Sequence, residues 1–368
     1  MRPEVSFIFG GISTEYDSSV SSLLNVISVY LSLSKAERPF TVKNIHHVSQ
    51  KGGNVTTLPF DEPFVIDDLN AIISSEGIRP RRTLVNAFEA MASCKEYVVN
   101  LLHGQFGEDG GAQTLAAVLG LKGTFGDPEV ASLTMNKYAM SSFVSSLVPN
   151  DIVRIPKTIL IKAKDKLEMV QFVNSFQGPV VVKPNSLGSS LLTERFDEPE
   201  AHREEVIALI NEILEQDGAA LLQEFVHGKE YSCGCIANSS DIVTLPVVEI
   251  KTNRGLFGRK EKSIEGMSDL SVVDDRNNNS IANRIKSVTR IIASTVDIYN
   301  AARFDFLVSS RSEIVFLECN YIPGMGKNSI FPKMLENHGM TVIDMIHWVY
   351  SNSKPFTRKR CLVRDKAA

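Results

Sequence analysis

Residues 303–320 read "RFDFLVSSRSEIVFLECN", two apolar runs of period two joined by a polar stretch, and no other segment restricts the fold so closely. The alternation and the Ser-Ser-Arg-Ser-Glu connection predict a β-hairpin. A turn at 310–313 pairs 309 with 314 and, counting outward, sets Asp305 opposite Glu318 and Arg303 opposite Asn320. These four share one face, with Phe304, Leu317 and Cys319 on the other. Facing carboxylates on neighbouring strands lie about 5 Å apart at Cβ and repel unless a cation sits between them. Two arrangements meet that demand. One is a hard cation such as Mg²⁺, held by oxygens and completed by phosphate and water; the other is a carboxylate pair neutralised by Arg303.

The first third of the chain alternates strand and helix. "EVSFIFGG" reads as a strand ending in two glycines, and Val20, Leu24, Ile27 and Leu31 follow at helical spacing. "KEYVVNLLHG" predicts a second buried strand and "GAQTLAAVLGL" a short helix. That order implies a parallel sheet with ligand sites at its strand ends. The loops "FGGISTEYDSS" and "NLLHGQFGEDGG" should then lie on one edge and bring Glu15, His103 and Glu108 into one crevice. The character changes near 125–135. Residues 153–250 read as strands, with "VTLPVVEI" among them and one helix at about 199–215, which is an α+β pattern. A polar stretch leads to a helix at about 281–299, the hairpin and a closing helical segment.

A net charge of −4 offers no basic footprint, which argues against a nucleic-acid partner. No run reaches the roughly 18 apolar residues of a membrane span, and the N-terminus has no signal-peptide pattern. Five cysteines, an odd number without metal-site spacing, fit a reducing compartment, so a cytoplasmic location is expected.

"VVVKPNSLGSS" runs a buried strand into Lys183 and then a small-residue loop. A lysine in an apolar strand needs an anionic partner, and such a loop exposes N–H groups that can wrap phosphate. The spacing is not that of a Walker A loop, and "GMGKNS" lacks the upstream glycine of one. "LLQEFVHGKEYS" places Glu224 and Glu230 around a glycine, where a strand edge can offer backbone groups to a base and a carboxylate to a sugar, or can simply be solvated.

In order along the chain, "FGGISTE", "LLHGQFGEDG", "MNK", "VVVKPNSLGSS", "QEFVHGKE", "RFDF" and "LECNYIPGMGKNSIFP" resemble the D-alanine–D-alanine ligases of the ATP-grasp superfamily. The resemblance covers about residues 4–350 and turns the hairpin reading toward a metal site. It implies an α/β and α+β chain with an ATP-grasp fold. The expected parts are an N-terminal Rossmann-like parallel-sheet domain over 1–133, a central subdomain over 134–226, a C-terminal subdomain over 227–353 with a lid at 251–270, and a polar tail at 354–368. By resemblance, Asp305, Glu318 and Asn320 hold two Mg²⁺ ions, with Mn²⁺ as an alternative, against the phosphates of ATP. Lys137 and Lys183 match phosphate-binding lysines, Glu230 the ribose-binding acid, and Phe225 and Leu317 the adenine slot, with Glu224 a further nucleotide-binding residue. Glu15 matches the residue holding the first amino acid's ammonium, with His103 nearby. Arg303 and the N–H of Gly324 match oxyanion stabilisers, and Ser329 matches the contact to the second substrate's carboxylate. Small amino-acid substrates, and a homodimer as in many relatives, belong to the same implication.

This sequence departs from the family in three places. In the lid, "LFGRKEKSIEG" keeps a lysine, Lys262, but has Ser263 where relatives carry a tyrosine that closes on the loop serine, here Ser189, and on Glu15. Ser18 replaces an apolar residue beside the first substrate's side chain, and the phosphate loop carries Leu187 and Leu191. The reaction expected is ATP-dependent carboxylate–amine ligation through an acyl phosphate, giving D-alanyl-D-alanine for peptidoglycan precursors. Alternatives are a related depsipeptide, D-alanyl-D-serine or secondary-metabolite dipeptide ligase, and a non-catalytic nucleotide-binding protein. Retention of both lysines, both metal carboxylates, Asn320 and Arg303 argues against the last.

Overall fold

Three sheets carry the chain in a computed structural model that describes residues 2–60, 66–74, 81–238, 240–252, 268–275, 280–353 and 356. The first sheet comprises β1 (Glu4–Gly10), β2 (Thr41–Val48), β3 (Val55–Pro59), β4 (Tyr97–Asn100) and β5 (Lys122–Gly123) in the order β3-β2-β1-β4-β5. β1 runs parallel to both β2 and β4, and β4 parallel to β5, as the alternating strand–helix pattern requires. Helices α1 (Tyr16–Ser32), α2 (Ile66–Ser74), α3 (Leu84–Ser93) and α4 (Gly111–Leu119) connect it. Gly10 and Gly11 end β1 at φ +91° and +107°, and a Cβ on Gly10 would lie 2.3 Å from the Val48 carbonyl oxygen, so this turn into α1 requires glycine. The segment 36–96 supplies β2, β3, α2 and α3.

Helices α5 (Pro128–Met135) and α6 (Lys137–Leu147) lead out of the first sheet. Asn136 caps α6 through its side chain, accepting the Ala139 N–H, and Asn185 reaches from the distant loop to accept the N–H groups of Lys137 and Tyr138. The second sheet is antiparallel, with β6 (Thr158–Ile161), β7 (Val180–Pro184), β8 (Glu194–Phe196) and β9 (Ala220–Glu224) in the order β6-β9-β7-β8. α7 (Met169–Asn174) and α8 (Arg203–Gln216) complete this unit. Their buried residues Met169, Val173, Val206, Ile210 and Ile213 share one core with Val180, Val182 and Leu222 of the sheet.

The third sheet holds β10 (Gly228–Ala237), β11 (Ile242–Thr244), β12 (Val248–Thr252), β13 (Ser268–Val272), β14 (Ala301–Ser309) and β15 (Ile314–Asn320). α9 (Ile281–Val296) covers one face. It ends earlier than the periodicity suggests because Asp297 adopts φ +63° and its N–H caps the Ala293 carbonyl. The segment read as one strand, "VTLPVVEI", is two, since Pro246 cannot donate to a ladder. α10 (Ile330–Asn337) and α11 (Val342–Asn352) close the chain, and Met334, Val342, Ile343 and Ile346 join one core with Leu23, Ile27 and Val99 of the first unit.

The hairpin forms with a shift in register. Arg303 faces Asn320 and Asp305 faces Glu318, as counted from the sequence, but a bulge follows and Val308, not 309, pairs with Ile314. Leu317 is the residue left without a partner, opposite none of β14. It therefore leaves the face assigned to it beside Phe304 and Cys319, which are buried in the core under α9, and lines the cavity instead. Burial of Phe304, Phe306 and Phe316 anchors the hairpin, each contributing about 1.5–3 kcal/mol.

Candidate active site

A single cavity of about 580 Å³ is lined from β7, β9, β10, β14 and β15, from the loops after β1, β4, β7 and β15, and from the start of α6. That volume suits a nucleotide-sized ligand. Every site residue named from the sequence lines it except Lys262, which with Ser263, most of the 251–270 lid and nearly all of the 354–368 tail lies outside the described residues.

At the hairpin, Asp305 is buried and saturated. Arg303 grips it through two bonds, Nε to Oδ1 at 3.0 Å and Nη2 to Oδ2 at 2.8 Å, and Asn320 Nδ2 donates to Oδ2 at 3.0 Å. Ser232, directly opposite on β10, donates to Oδ1. Burial alone would weaken the charge on Arg303, but the carboxylates of Asp305, Glu318 and Glu230 overcome it and hold the guanidinium above its ordinary pKa. Glu318 is a quarter exposed toward the cavity, and Lys137 Nζ stands 3.6 Å from its Oε2. Lys137 is the first residue of α6, where the helix dipole disfavours a cation, and its Nζ also donates to the Leu187 carbonyl at 2.8 Å.

Arg303 neutralises Asp305, while Glu318, a quarter exposed, stands beside Lys137. The described residues hold no group of three or more His, Cys, Asp and Glu fit for a metal. The donors at hand are two carboxylates in register and the Asn320 amide, whose nitrogen is committed to Asp305 and whose oxygen remains an acceptor. An all-oxygen set of this kind fits Mg²⁺ completed by ligand phosphates better than zinc or another soft ion.

The loop after β7 carries unusual backbone. Ser189, Ser190 and Leu192 adopt φ of +52°, +53° and +51°, a conformation few non-glycine residues take, and such turns gather N–H groups into an anion-binding concavity. Lys183 of β7 lines the cavity beside it. At the other end, Phe225 is stacked under Arg195, 3.9 Å from guanidinium carbon to ring centroid, and edge-on to His227. The Glu224 carboxylate accepts from Arg154 and from the Lys157 N–H, so it acts as a brace for this wall. Gln223, unremarked in the sequence, is buried there with Nε2 fixed by Thr158 at 2.8 Å.

The two strand-end loops meet as expected. Ser13 Oγ donates to Gln105 Oε1 at 3.0 Å and accepts the Glu15 N–H. Glu15 Oε1 accepts from Ser189 Oγ at 2.8 Å, which ties the first unit to the loop after β7. His103 is buried, with Nε2 2.9 Å from Ser22 Oγ. Ser22 also accepts the Met325 N–H at 3.0 Å, and Asn25 donates to the Met325 carbonyl at 2.7 Å. Glu108 accepts from the N–H groups of Gly104 at 2.8 Å and Ile322 at 2.9 Å. The 322–326 loop is therefore held on both sides. Among the described residues nothing accepts the Gly324 N–H, which leaves it available to a developing oxyanion. Burial and the Glu15 charge push the Glu108 carboxyl up to about 8, whereas burial holds His103 below the usual imidazole range.

The D-ala D-ala ligase C-terminus family matches residues 150–350. The chain belongs to the D-alanine–D-alanine ligase family. It is 26% identical over 345 residues to the D-alanine–D-alanine ligase of Azobacteroides pseudotrichonymphae, covering 93% of this chain and 97% of that one. It is also 26% identical over 352 residues to the enzyme of Lacticaseibacillus casei, covering 93% of each. The VanG D-Ala:D-Ser ligase of Enterococcus faecalis superposes with a TM-score of 0.74 at 22% identity, over 95% of this chain and 99% of that one. The D-alanine–D-alanine ligase of Coxiella burnetii gives 0.71 at 20%, over 95% and 93%. These likenesses show the ATP-grasp fold of the family's structures. No helix among the described residues is long and apolar enough to cross a membrane.

Sequence reasoning missed Ser232, Gln223, Ser21 and Arg154. Ser232 had a signal, a polar residue in the buried run "YSCGCIA". The others depend on contacts between distant segments.

Proposed function

We propose that this chain joins the carboxylate of D-alanine to the amine of a second D-amino acid, with D-alanyl-D-alanine as the product the relatives' names point to, at the expense of ATP. One observation carries the reading: the opposed Asp305 and Glu318, with Lys137 beside them, share a cavity with Glu15 and the open Gly324 N–H. A phosphate-handling centre and an amino-acid centre then lie within one reaction space.

A carboxylate resists attack by an amine until phosphorylation converts it to an acyl phosphate. Two Mg²⁺ ions, or Mn²⁺ in their place, would neutralise γ-phosphate charge when held by Asp305, Glu318 and Asn320. Lys137, Lys183 and the positive-φ turn at Ser189 and Ser190 hold the phosphates. Glu230 takes the ribose hydroxyls, and Phe225 with Leu317 takes the adenine. Glu15, oriented by Ser189, holds the ammonium of the first amino acid, and Ser329 takes the carboxylate of the second. Arg303 and Gly324 stabilise the oxyanion formed when the second amine attacks. Arg303 is suited to this because Asp305 fixes it in place before substrate arrives. The same reading carries a cytoplasmic enzyme supplying peptidoglycan precursors and acting as a homodimer.

The test is phosphate release from ATP and Mg²⁺ with D-alanine, products identified by mass. D-alanyl-D-alanine with one phosphate released per peptide supports the reading. Absence of turnover with every D-amino acid offered removes it.

A further inference from the structure

Gly324 sits in a loop whose neighbours are fastened one by one. Ahead of it, Glu108 holds the Ile322 N–H at 2.9 Å, and Pro323 has a φ fixed by its ring. Behind it, Met325 is held at three points. Its N–H donates to Ser22 Oγ at 3.0 Å, its carbonyl accepts from Asn25 Nδ2 at 2.7 Å, and its side chain is buried in one core with Leu23 and Ile27. Ser22 and Asn25 stand three residues apart on α1 and so share a face of the helix.

These bonds matter because of the residue they enclose. Glycine has the widest choice of backbone angles, and a donor that must be ordered at the moment of reaction stabilises an oxyanion less than one already aimed. Ser22 has other duties, toward the Ser18 carbonyl and His103 Nε2, each at 2.9 Å. Asn25 is partly buried, does not line the cavity, and among the described residues its amide bonds only the Met325 carbonyl. The Glu15 carbonyl accepts the Ser19 N–H at 3.1 Å at the start of the same helix. One rigid element therefore carries both the acid that meets the first amino acid and the amide that steadies the Gly324 loop.

We propose that Asn25 is a positioning residue for the second half of the reaction, keeping the Gly324 N–H aimed at the oxyanion through its bond to the Met325 carbonyl. The inference rests on the ligase reading above, in which Gly324 serves the tetrahedral intermediate. In that half the acceptor amine forms a C–N bond to the acyl carbon and the carbonyl electron pair moves onto oxygen. Its return breaks the bond to inorganic phosphate, and the amine gives a proton to water. In the first half a carboxylate oxygen attacks the γ-phosphorus and ADP leaves, so the developing charge lies on phosphate and ADP oxygens. Asn25 acts on the second half and not on the first.

The experiment follows a single turnover of the full chain with ATP, Mg²⁺ and D-alanine by rapid quench, with ADP and dipeptide measured separately. In Asn25→Ala, ADP should form at the parent's rate and dipeptide about tenfold more slowly, a smaller loss than the hundredfold or so of removing an oxyanion donor outright. Acyl phosphate should accumulate between the two steps and be trapped by hydroxylamine as the hydroxamate. Asn25→Asp, equal in size but without a donor at neutral pH, should slow dipeptide formation at least as much, which separates the lost bond from the lost volume. Thermal melting confirms that each variant is folded, and Asn25→Asp alone carries the test if the alanine variant is not. Equal slowing of ADP and dipeptide, or dipeptide formation at the parent's rate in Asn25→Asp, overturns the inference and leaves the ligase reading standing. Failure of the parent to form ADP with any D-amino acid removes both.

Discussion

Ser189 Oγ donates a 2.8 Å hydrogen bond to Glu15 Oε1 across 174 residues of sequence, and Gly188 lets the two approach, since a Cβ there would fall 2.1 Å from Glu15 Oε2. The Glu15 carboxylate is thus oriented by the loop after β7. Ser189→Ala should raise the KM for the first amino acid about tenfold, the effect of losing one hydrogen bond to a charged group, with little change in nucleotide affinity. Gly188→Ala should cost more, about a hundredfold in kcat/KM, because it displaces the carboxylate itself. Steady-state kinetics with each substrate varied in turn decides the point: an unchanged amino-acid KM in both variants would mean that Glu15 does not bind the substrate.

The hairpin was legible in the sequence because its register follows from counting, and the outer pairs Arg303–Asn320 and Asp305–Glu318 came out as counted. The bulge at Leu317 was not, since a run of alternating apolar residues carries no mark of a skipped partner. Glu15, His103 and Glu108 were placed together by the rule that parallel strands present their following loops on one edge. Ser21 and Gly326 escaped notice for the opposite reason. Their contact joins residues 305 positions apart, and neither is chemically conspicuous alone. Glu224 lines the cavity, and its bonds to Arg154 and the Lys157 N–H join distant segments that the sequence does not relate.

The two hairpin carboxylates should separate in mutagenesis. Asp305→Asn leaves the buried guanidinium of Arg303 without its counter-charge, a change that typically costs about 3–5 kcal/mol, so stability and activity should fall together. Glu318→Gln removes a partly exposed charge whose pair with Lys137 is worth under about 1 kcal/mol, and should abolish ATP turnover in a protein that melts close to the parent. Urea denaturation and phosphate release on both variants test this. Near-normal turnover in Glu318→Gln would remove the metal assignment.

Thiol reactivity should follow burial. Cys233, Cys235 and Cys319 are buried and burial raises the pKa of each, Cys233 to about 12, so their thiolates are scarce at neutral pH. Cys94 is exposed. Alkylation of the native protein with peptide mapping should label Cys94 at least about a hundredfold faster than Cys233, Cys235 or Cys319, and the difference should vanish in denaturant. Rapid native labelling of Cys319, which lies between Glu318 and Asn320, would show that the hairpin opens on the labelling timescale.

The pH dependence of stability should carry the signature of Glu108. The unfolded carboxyl loses its proton near the ordinary 4.5, whereas the folded one, buried and facing Glu15, keeps it until about 8. The folded state therefore binds the extra proton between those values, and stability falls as pH rises through that window and levels above it, by no more than about 1.4 kcal/mol per pH unit. His103 acts with the opposite sign, since burial lowers its pKa; its contribution is intact above about 6.5 and is lost as pH falls below that. Between about 6.5 and 8 the Glu108 slope stands alone. Glu108→Gln cannot accept from both Gly104 and Ile322, so it should be less stable at all pH by about 1–3 kcal/mol, yet its melting temperature should not decline across pH 6.5–8. Calorimetric melting of both proteins in that range is the measurement. If the decline persists in Glu108→Gln, the proton resides on another group and Glu108 is ionised in the folded protein.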